Sequence, residues 1–121
     1  MKLGGVRLFV DSLQAALPFY RTLLAEPIAQ NNAAGFAVFD AAGVNVVVEQ
    51  VTPDAPAEDR LLVGRFTGVS FEVEDIGAAH AQLSANGVLF TGEPELQGWG
   101  GWLATLQDPA GNSLQLVQYE G

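Results

Sequence analysis

Gly5-Val6-Arg7-Leu8-Phe9-Val10-Asp11-Ser12-Leu13-Gln14-Ala15-Ala16 returns later in the chain as Gly68-Val69-Ser70-Phe71-Glu72-Val73-Glu74-Asp75-Ile76-Gly77-Ala78-Ala79. Gly, Val, Val, Ala and Ala coincide, while Leu8 faces Phe71 and Leu13 faces Ile76. Each copy alternates apolar and polar residues as a half-buried strand does. Each then meets a helix-capping residue, Ser12 after Asp11 in the first and Asp75 in the second, followed by apolar residues at helical spacing. The first stripe is Leu13, Leu17, Tyr20 and Leu24; the second is Ile76, Ala79, His80 and Leu83. Asn86-Gly87 offers the second helix a left-handed stop. The chain reads as one strand–helix unit used twice.

Short strands follow each helix. In the first half they are expected at Pro27–Asn31, Gly35–Asp40 and Val44–Val51, with Ala41-Ala42-Gly43 as a hairpin turn. In the second they are expected at Val88–Thr91, Trp102–Gln107 and Asn112–Tyr119, with Asp108-Pro109-Ala110-Gly111 turning the last pair. The fold class is therefore α+β, two tandem βαβββ modules forming a concave mixed sheet. The modules span about 3–51 and 65–120 of a single domain, 1–121. A linker over about 52–64 contains Pro53, Pro56 and three acids within 52–60, and reads as exposed. A second loop, Gly92–Gly101, is glycine-rich and carries Trp99.

With the helices on one side, strand parity decides what faces the other. Val6, Leu8 and Val10 pack under the first helix, which turns Gly5, Arg7 and Phe9 to the concave side. Val69, Phe71 and Val73 pack under the second, which turns out Gly68, Ser70 and Glu72. The concave face is the candidate site.

Composition excludes several functions. The 121 residues carry 5 Lys+Arg against 14 Asp+Glu, a formal charge of −9, no Cys and one His. The only basic side chains are Lys2, Arg7, Arg21, Arg60 and Arg65, too few for a phosphate-binding surface, so nucleic acid and anionic membranes are not expected partners. Without Cys there is no disulfide, zinc–thiolate or iron–sulfur site and no thiol nucleophile. No apolar run approaches the about 18 residues of a membrane span. The N-terminus lacks the pattern of an export signal, so a cytoplasmic location is expected.

Three stretches resemble the vicinal oxygen chelate superfamily, the glyoxalase, bleomycin-resistance and ring-cleaving dioxygenase group. Val10-Asp11-Ser12-Leu13 with Pro18-Phe19-Tyr20-Arg21-Thr22-Leu23-Leu24 is similar to its "FYrdvLG" helix. Val69–Asp75 with Asn86-Gly87 matches the second strand–helix unit, and Trp99-Gly100 before Asp108-Pro109-Ala110-Gly111-Asn112 matches its "WG…DPdGN" ending. The resemblance makes Pro18 acceptable inside a helix. It also implies where metal-dependent members hold a divalent cation: on the first and last strands of each half. Those positions fall on Gly5, Val47, Gly68 and Gln115. Two have no side chain, one is apolar and one is an amide, so no metal and no cofactor are expected. Glu49, two residues beyond Val47 with the same parity, is the one nearby carboxylate.

The candidate ligand-binding residues are Arg7, Phe9, Glu49, Ser70, Glu72, Trp99, Trp102 and Gln115. Glu49 is also the candidate catalytic residue: in an apolar cleft its pKa would rise, fitting it to act as a base or as counter-ion to a cation. Arg7 is expected to pair with Glu49 or Glu72, or to clamp a ligand carboxylate. Trp99 and Trp102, around Gly100-Gly101, suit the wall of a pocket for a flat ligand, with Trp102 alternatively filling the core. Phe36, Phe39 and Phe90 are divided between core and cleft. His80 lies on the helix side and reads as structural.

These readings favour a metal-independent small-molecule-binding protein, similar to the bleomycin-resistance type, that sequesters a cationic or aromatic compound. The resemblance implies a homodimer. The rival readings are a metal-independent lyase or isomerase using Glu49 as acid–base, and a related domain without ligand chemistry.

Overall fold

Ser12 and Asp75 begin their helices as their residue types predict. Ser12 sits in extended backbone and accepts a hydrogen bond from the Ala15 amide, 3.2 Å; Asp75 accepts from Ala78, 3.0 Å. The computed structural model describes residues 1–120. It contains β1 (Val6–Val10), α1 (Leu13–Leu24), β2 (Ala29–Asn31), β3 (Phe36–Ala41), β4 (Val44–Gln50), α2 (Ala57–Arg60), β5 (Phe66–Glu72), α3 (Ile76–Ala85), β6 (Leu89–Phe90), β7 (Glu95–Leu96), β8 (Trp102–Gln107) and β9 (Ser113–Gln118). Among the described residues no helix is long and apolar enough to cross a membrane.

The strands form two mixed sheets, giving the expected α+β class. In the first the order is β1-β4-β3-β2, with β1 parallel to β4 and the other pairs antiparallel. In the second the order is β5-β9-β8-β6, with β5 parallel to β9 and β7 paired to β8. Two compact units emerge: Met1–Arg65 together with Pro109–Asn112, and Phe66–Asp108 together with the chain from Ser113 onward.

In the first unit Leu8, Val10, Ala37, Phe39, Val46 and Val48 are buried with Leu13, Ala16, Leu17, Phe19 and Tyr20 of α1. The Tyr20 ring meets Phe39 at 6.0 Å. Pro18 is tolerated because it and Gln14, whose carbonyl loses its helical partner, both lie on the exposed face, where water can replace the missing donor. The β3–β4 hairpin closes through Ala42 and Gly43 at φ 50° and 94°, the positive-φ pair of a two-residue type I′ turn. In the second unit Ile76, Val88, Ala104, Leu106, Leu114, Leu116 and Val117 are the buried apolar residues.

Sequence periodicity missed four features. Gln50 and Gln118, the last residues of β4 and β9, each reach back to the first amide of the helix in their own half. Leu13 donates to Gln50 Oε1 at 2.9 Å and Ile76 to Gln118 Oε1 at 2.7 Å. The segment expected as a plain linker contains α2, a single turn entered through Pro56 with Glu58 and Asp59 in its first turn, and Val63 bridges to Phe9. The glycine-rich loop contains β7. Finally, β5 is irregular: Phe66 pairs with Ser113 and Ser70 with Gln115, so four residues advance against two. Thr67 closes this bulge, donating to the Ser113 carbonyl at 2.8 Å and accepting from the Val69 amide at 3.2 Å.

Asn112, the last residue of the Asp108–Asn112 signature, is fully buried. Its Nδ2 donates to the Phe9 carbonyl at 2.7 Å, while Oδ1 accepts from the Gly64 and Arg65 amides at 2.9 and 3.3 Å. Replacing Asn112 by Ala strands three backbone groups and should cost about 2–4 kcal/mol in a urea titration. A loss below about 1 kcal/mol would mean that water replaces the carboxamide without penalty. A second expectation concerns Ala25, which follows α1 at φ 66°, ψ −159°, a conformation suited only to glycine. Ala25→Gly should raise unfolding stability by about 1 kcal/mol, since relief of that strain exceeds the added chain entropy.

Candidate functional site

Among the residues of the first sheet that α1 leaves uncovered are Arg7 and Phe9 on β1, Val47 and Glu49 on β4, and Phe36 and Val38 on β3. Register sets Glu49 between Phe9 and Phe36, and Val47 between Arg7 and Val38. The carboxylate therefore emerges between two aromatic rings, one position along from the arginine. Arg7 closes that distance with a two-nitrogen grip: Nε to Oε2 at 2.5 Å and Nη2 to Oε1 at 2.9 Å. Its Cζ also lies 5.1 Å from the Phe9 ring centroid. The Glu49 side chain is 26% exposed and that of Arg7 is 64% exposed. Beside the pair is a hollow of about 270 Å³ lined by Ala34, Gly35, Phe36, Val47, Glu49 and Gln50.

The hydrogen bond and charge of Glu49 hold the Arg7 pKa above its ordinary value. Stability from a raised pKa is present below the unfolded value and is lost only as pH rises through the still higher folded one. The guanidinium consequently stays charged throughout the range in which proteins are handled. Of the protein partners expected for Arg7, Glu49 is the one it meets in the structure. The pairing also changes what Glu49 can do, because both of its oxygens already accept an N–H.

On the second sheet Ser70 stands opposite Gln115, and Gln115 stands opposite Thr105, to whose hydroxyl its Nε2 donates at 3.3 Å. Glu72 pairs with Val117 and is exposed. Trp102 does not fill the core: it opens β8, opposite Gln118 and Leu96, and remains 37% exposed. Trp99 is 50% exposed, with its ring 5.9 Å from that of Tyr119. The intervening glycine has a packing reason, since a Cβ on Gly101 would lie 1.9 Å from the Trp99 ring and 2.6 Å from the Gln118 carbonyl.

His80 is anchored structurally. Its Nε2 lies 3.1 Å from the Gly92 carbonyl, its ring 4.3 Å from Phe90, and its Nδ1 3.8 Å from a Glu93 oxygen. Among the three phenylalanines left open, Phe39 is core, Phe90 packs on His80 and Phe36 lines the hollow. Phe36, Ala34, Gly35 and Gln50 were not among the expected site residues. Parity alone does not reveal them, because their placement depends on which strand pairs with β4.

The four positions at which relatives would bind a cation do not fit one here. A Cβ at Gly5 would lie 2.9 Å from the Asn45 carbonyl oxygen and 3.3 Å from the Asn45 Cβ. Gly68 has φ +74°, which a larger residue adopts only under strain. Val47 has no donor, and Gln115 is a neutral amide. Among the described residues no three His, Asp or Glu are close enough together to hold a metal ion. At Gly5 and Gly68 the backbone, as well as the missing side chain, disfavours a ligating residue. The combined variant Gly5→His, Val47→Glu, Gly68→His and Gln115→Glu should therefore be less stable than the native chain. It should show no sub-micromolar zinc or nickel binding by calorimetry; tight binding would show that the backbone still accommodates the ion.

The sequence profile of the Glyoxalase/Bleomycin resistance protein/Dioxygenase superfamily matches residues 2–116. No curated protein sequence matches significantly. Solved structures match along almost the full length. A superfamily member from Sphaerobacter thermophilus DSM 20745 has 28% identity and a TM-score of 0.78, covering 98% of this chain and 98% of its own. TnmS3, an antibiotic binding protein from Streptomyces sp. CB03234, has 24% identity and a TM-score of 0.73, covering 99% and 97%. Lactoylglutathione lyase from Agrobacterium tumefaciens has 19% identity and a TM-score of 0.75, covering 97% and 92%. At these last two identities the likeness is one of fold, and that fold serves a binding protein in one case and a lyase in the other. With the profile spanning nearly every residue, the chain belongs to the Glyoxalase/Bleomycin resistance protein/Dioxygenase superfamily.

Proposed function

We propose that this chain is a metal-independent small-molecule-binding protein that sequesters a cationic or aromatic compound on the open face of its first sheet. The observation that carries this reading is the Arg7–Glu49 ion pair. Its Glu49 stands between Phe9 and Phe36 in the sheet register and lines an open hollow, while Gly5 is blocked, Gly68 strained, Val47 without a donor and Gln115 a neutral amide. Phe9, Phe36 and Val47 beside a fixed ion pair supply the mixture of apolar and polar groups on which small molecules bind. The fold hosts an antibiotic binding protein among its neighbours, which is consistent with this use but does not decide it.

The lyase or isomerase reading needs Glu49 as a free base. Its two hydrogen bonds from Arg7 count against that role, since each carboxylate oxygen already accepts an N–H that would have to be released or shared. The reading further includes a homodimer. Leu61, Phe66, Leu89 and Leu96 are exposed apolar side chains of the kind that a partner subunit covers. A cytoplasmic location belongs to the same proposal.

Three measurements test it. Elemental analysis of the purified chain should find zinc, nickel, iron and manganese well below one equivalent; a stoichiometric, tightly held metal would overturn the reading. A thermal-shift screen with bleomycin-type cationic glycopeptides and aromatic acids should raise the melting temperature by several degrees for one class. Glu49→Gln separates binder from enzyme. A sequestering protein shows no turnover with or without the carboxylate, whereas an enzyme would lose turnover and keep substrate affinity.

A further inference from the structure

If the open face of the first sheet is where the ligand sits, as just proposed, the state of Arg7 narrows the ligand's chemistry. Nε and Nη2 are engaged by the two oxygens of Glu49, so the edge best suited to grip a ligand carboxylate is occupied. The Arg7 Cζ lies over the Phe9 ring, 5.1 Å from the centroid. The side chain is nevertheless 64% exposed, so the ion pair does not bury it. Glu49 cancels the charge locally, so long-range attraction for an anion is weak. A cationic ligand, for its part, would have to displace Arg7 from Glu49, exchanging one ion pair for another and leaving the arginine unpaired. What the paired arginine still offers is a flat, weakly hydrated plane, which stacks well against aromatic rings. Two hydrogen bonds at its edge keep that plane from turning, and the Phe9 ring lies close by.

We infer that the exposed plane of the Arg7 guanidinium, fixed by Glu49 next to Phe9, is a stacking platform for a planar, uncharged aromatic ring system. The hollow beside it, lined by Phe36, Val47 and Glu49, takes the substituents of that ring system. Glu49 acts here as a positioning residue: it fixes the plane and need not touch the ligand.

The full chain, isotopically labelled, is titrated with acridone (planar, uncharged), spermidine (cationic, not planar) and benzoate (aromatic, anionic) and followed by NMR. Acridone should move the Arg7 Nε–H and Phe9 ring resonances upfield through its ring current. Its affinity should change less than about twofold between low and high salt, because no net charge is neutralised. Arg7→Lys keeps the charge and the carboxylate partner but loses the plane, and should weaken acridone binding about tenfold. Phe9→Leu keeps apolar bulk, loses the supporting ring, and should weaken it as well. Acridone binding that leaves the Arg7 resonances unmoved, or shifts the Trp99 and Tyr119 signals instead, overturns the platform. So does unchanged affinity in Arg7→Lys. Preferential binding of spermidine or benzoate to this face also overturns the platform, while small-molecule binding stands. If none of the three compounds perturbs any residue of the face, both readings fail.

Discussion

The buried carboxamide of Asn112 closes the outer edge of β1. That strand ends the β1-β4-β3-β2 order, so one of its edges has no strand to pair with. An unpaired edge leaves backbone groups unsatisfied and invites misassociation. Here the Val63 bridge and the Asn112 amide cover it, and Asn112 Nδ2 takes up the carbonyl of Phe9 itself. A neutral amide suits the position because it donates and accepts at once; a carboxylate supplies only the accepting half. Phe9 supports Arg7, Arg7 holds Glu49, and Glu49 stands beside the hollow. The geometry of the candidate site therefore descends from a residue that does not belong to it.

Only 16% of the residues are charged, and acids outnumber bases 14 to 5. In such a chain an arginine committed to the open face of a sheet is a considerable share of the available positive charge. Exposed ion pairs contribute little to stability as a rule. The value of this one lies in orientation, since a two-nitrogen grip sets the plane of the guanidinium as well as its position. In this chain a side-chain ion pair organises the open face of the first sheet.

Much of the fold was legible because its signals are local. The two helix starts at Ser12 and Asp75, the stop at Asn86-Gly87 and the Ala42-Gly43 turn each depend on a few neighbouring residues. Strand β8 coincides with its expected span, whereas β2 and β6 are shorter than their apolar runs suggested. The single helical turn at Ala57–Arg60 and the two-residue strand at Glu95–Leu96 are too short to generate a periodicity. Gln50 and Gln118 were invisible for a different reason: each bonds to an amide far away in sequence, and nothing about a strand-terminal glutamine announces that. In the site, parity correctly turned Arg7, Phe9 and Glu49 to one face, but the choice between Glu49 and Glu72 as the partner of Arg7 required the register. Phe36 could not be distinguished from Phe39 until β3 was seen to pair with β4. Trp102 was ambiguous by size, and its place at the strand's start explains why it stays exposed.

The two glutamines have a consequence for how the sheets are kept in step. A parallel pair such as β1 with β4, or β5 with β9, has evenly spaced hydrogen bonds, and a slip of two residues keeps every side chain on its proper face. Hydrophobic patterning alone therefore does not forbid that error. The amides of Leu13 and Ile76 do, because a slip of two residues would carry Gln50 or Gln118 roughly 7 Å along the strand and out of reach of the helix start. Each half of the chain thus carries its own detent, a single polar contact that turns one of several equivalent alignments into the one that closes.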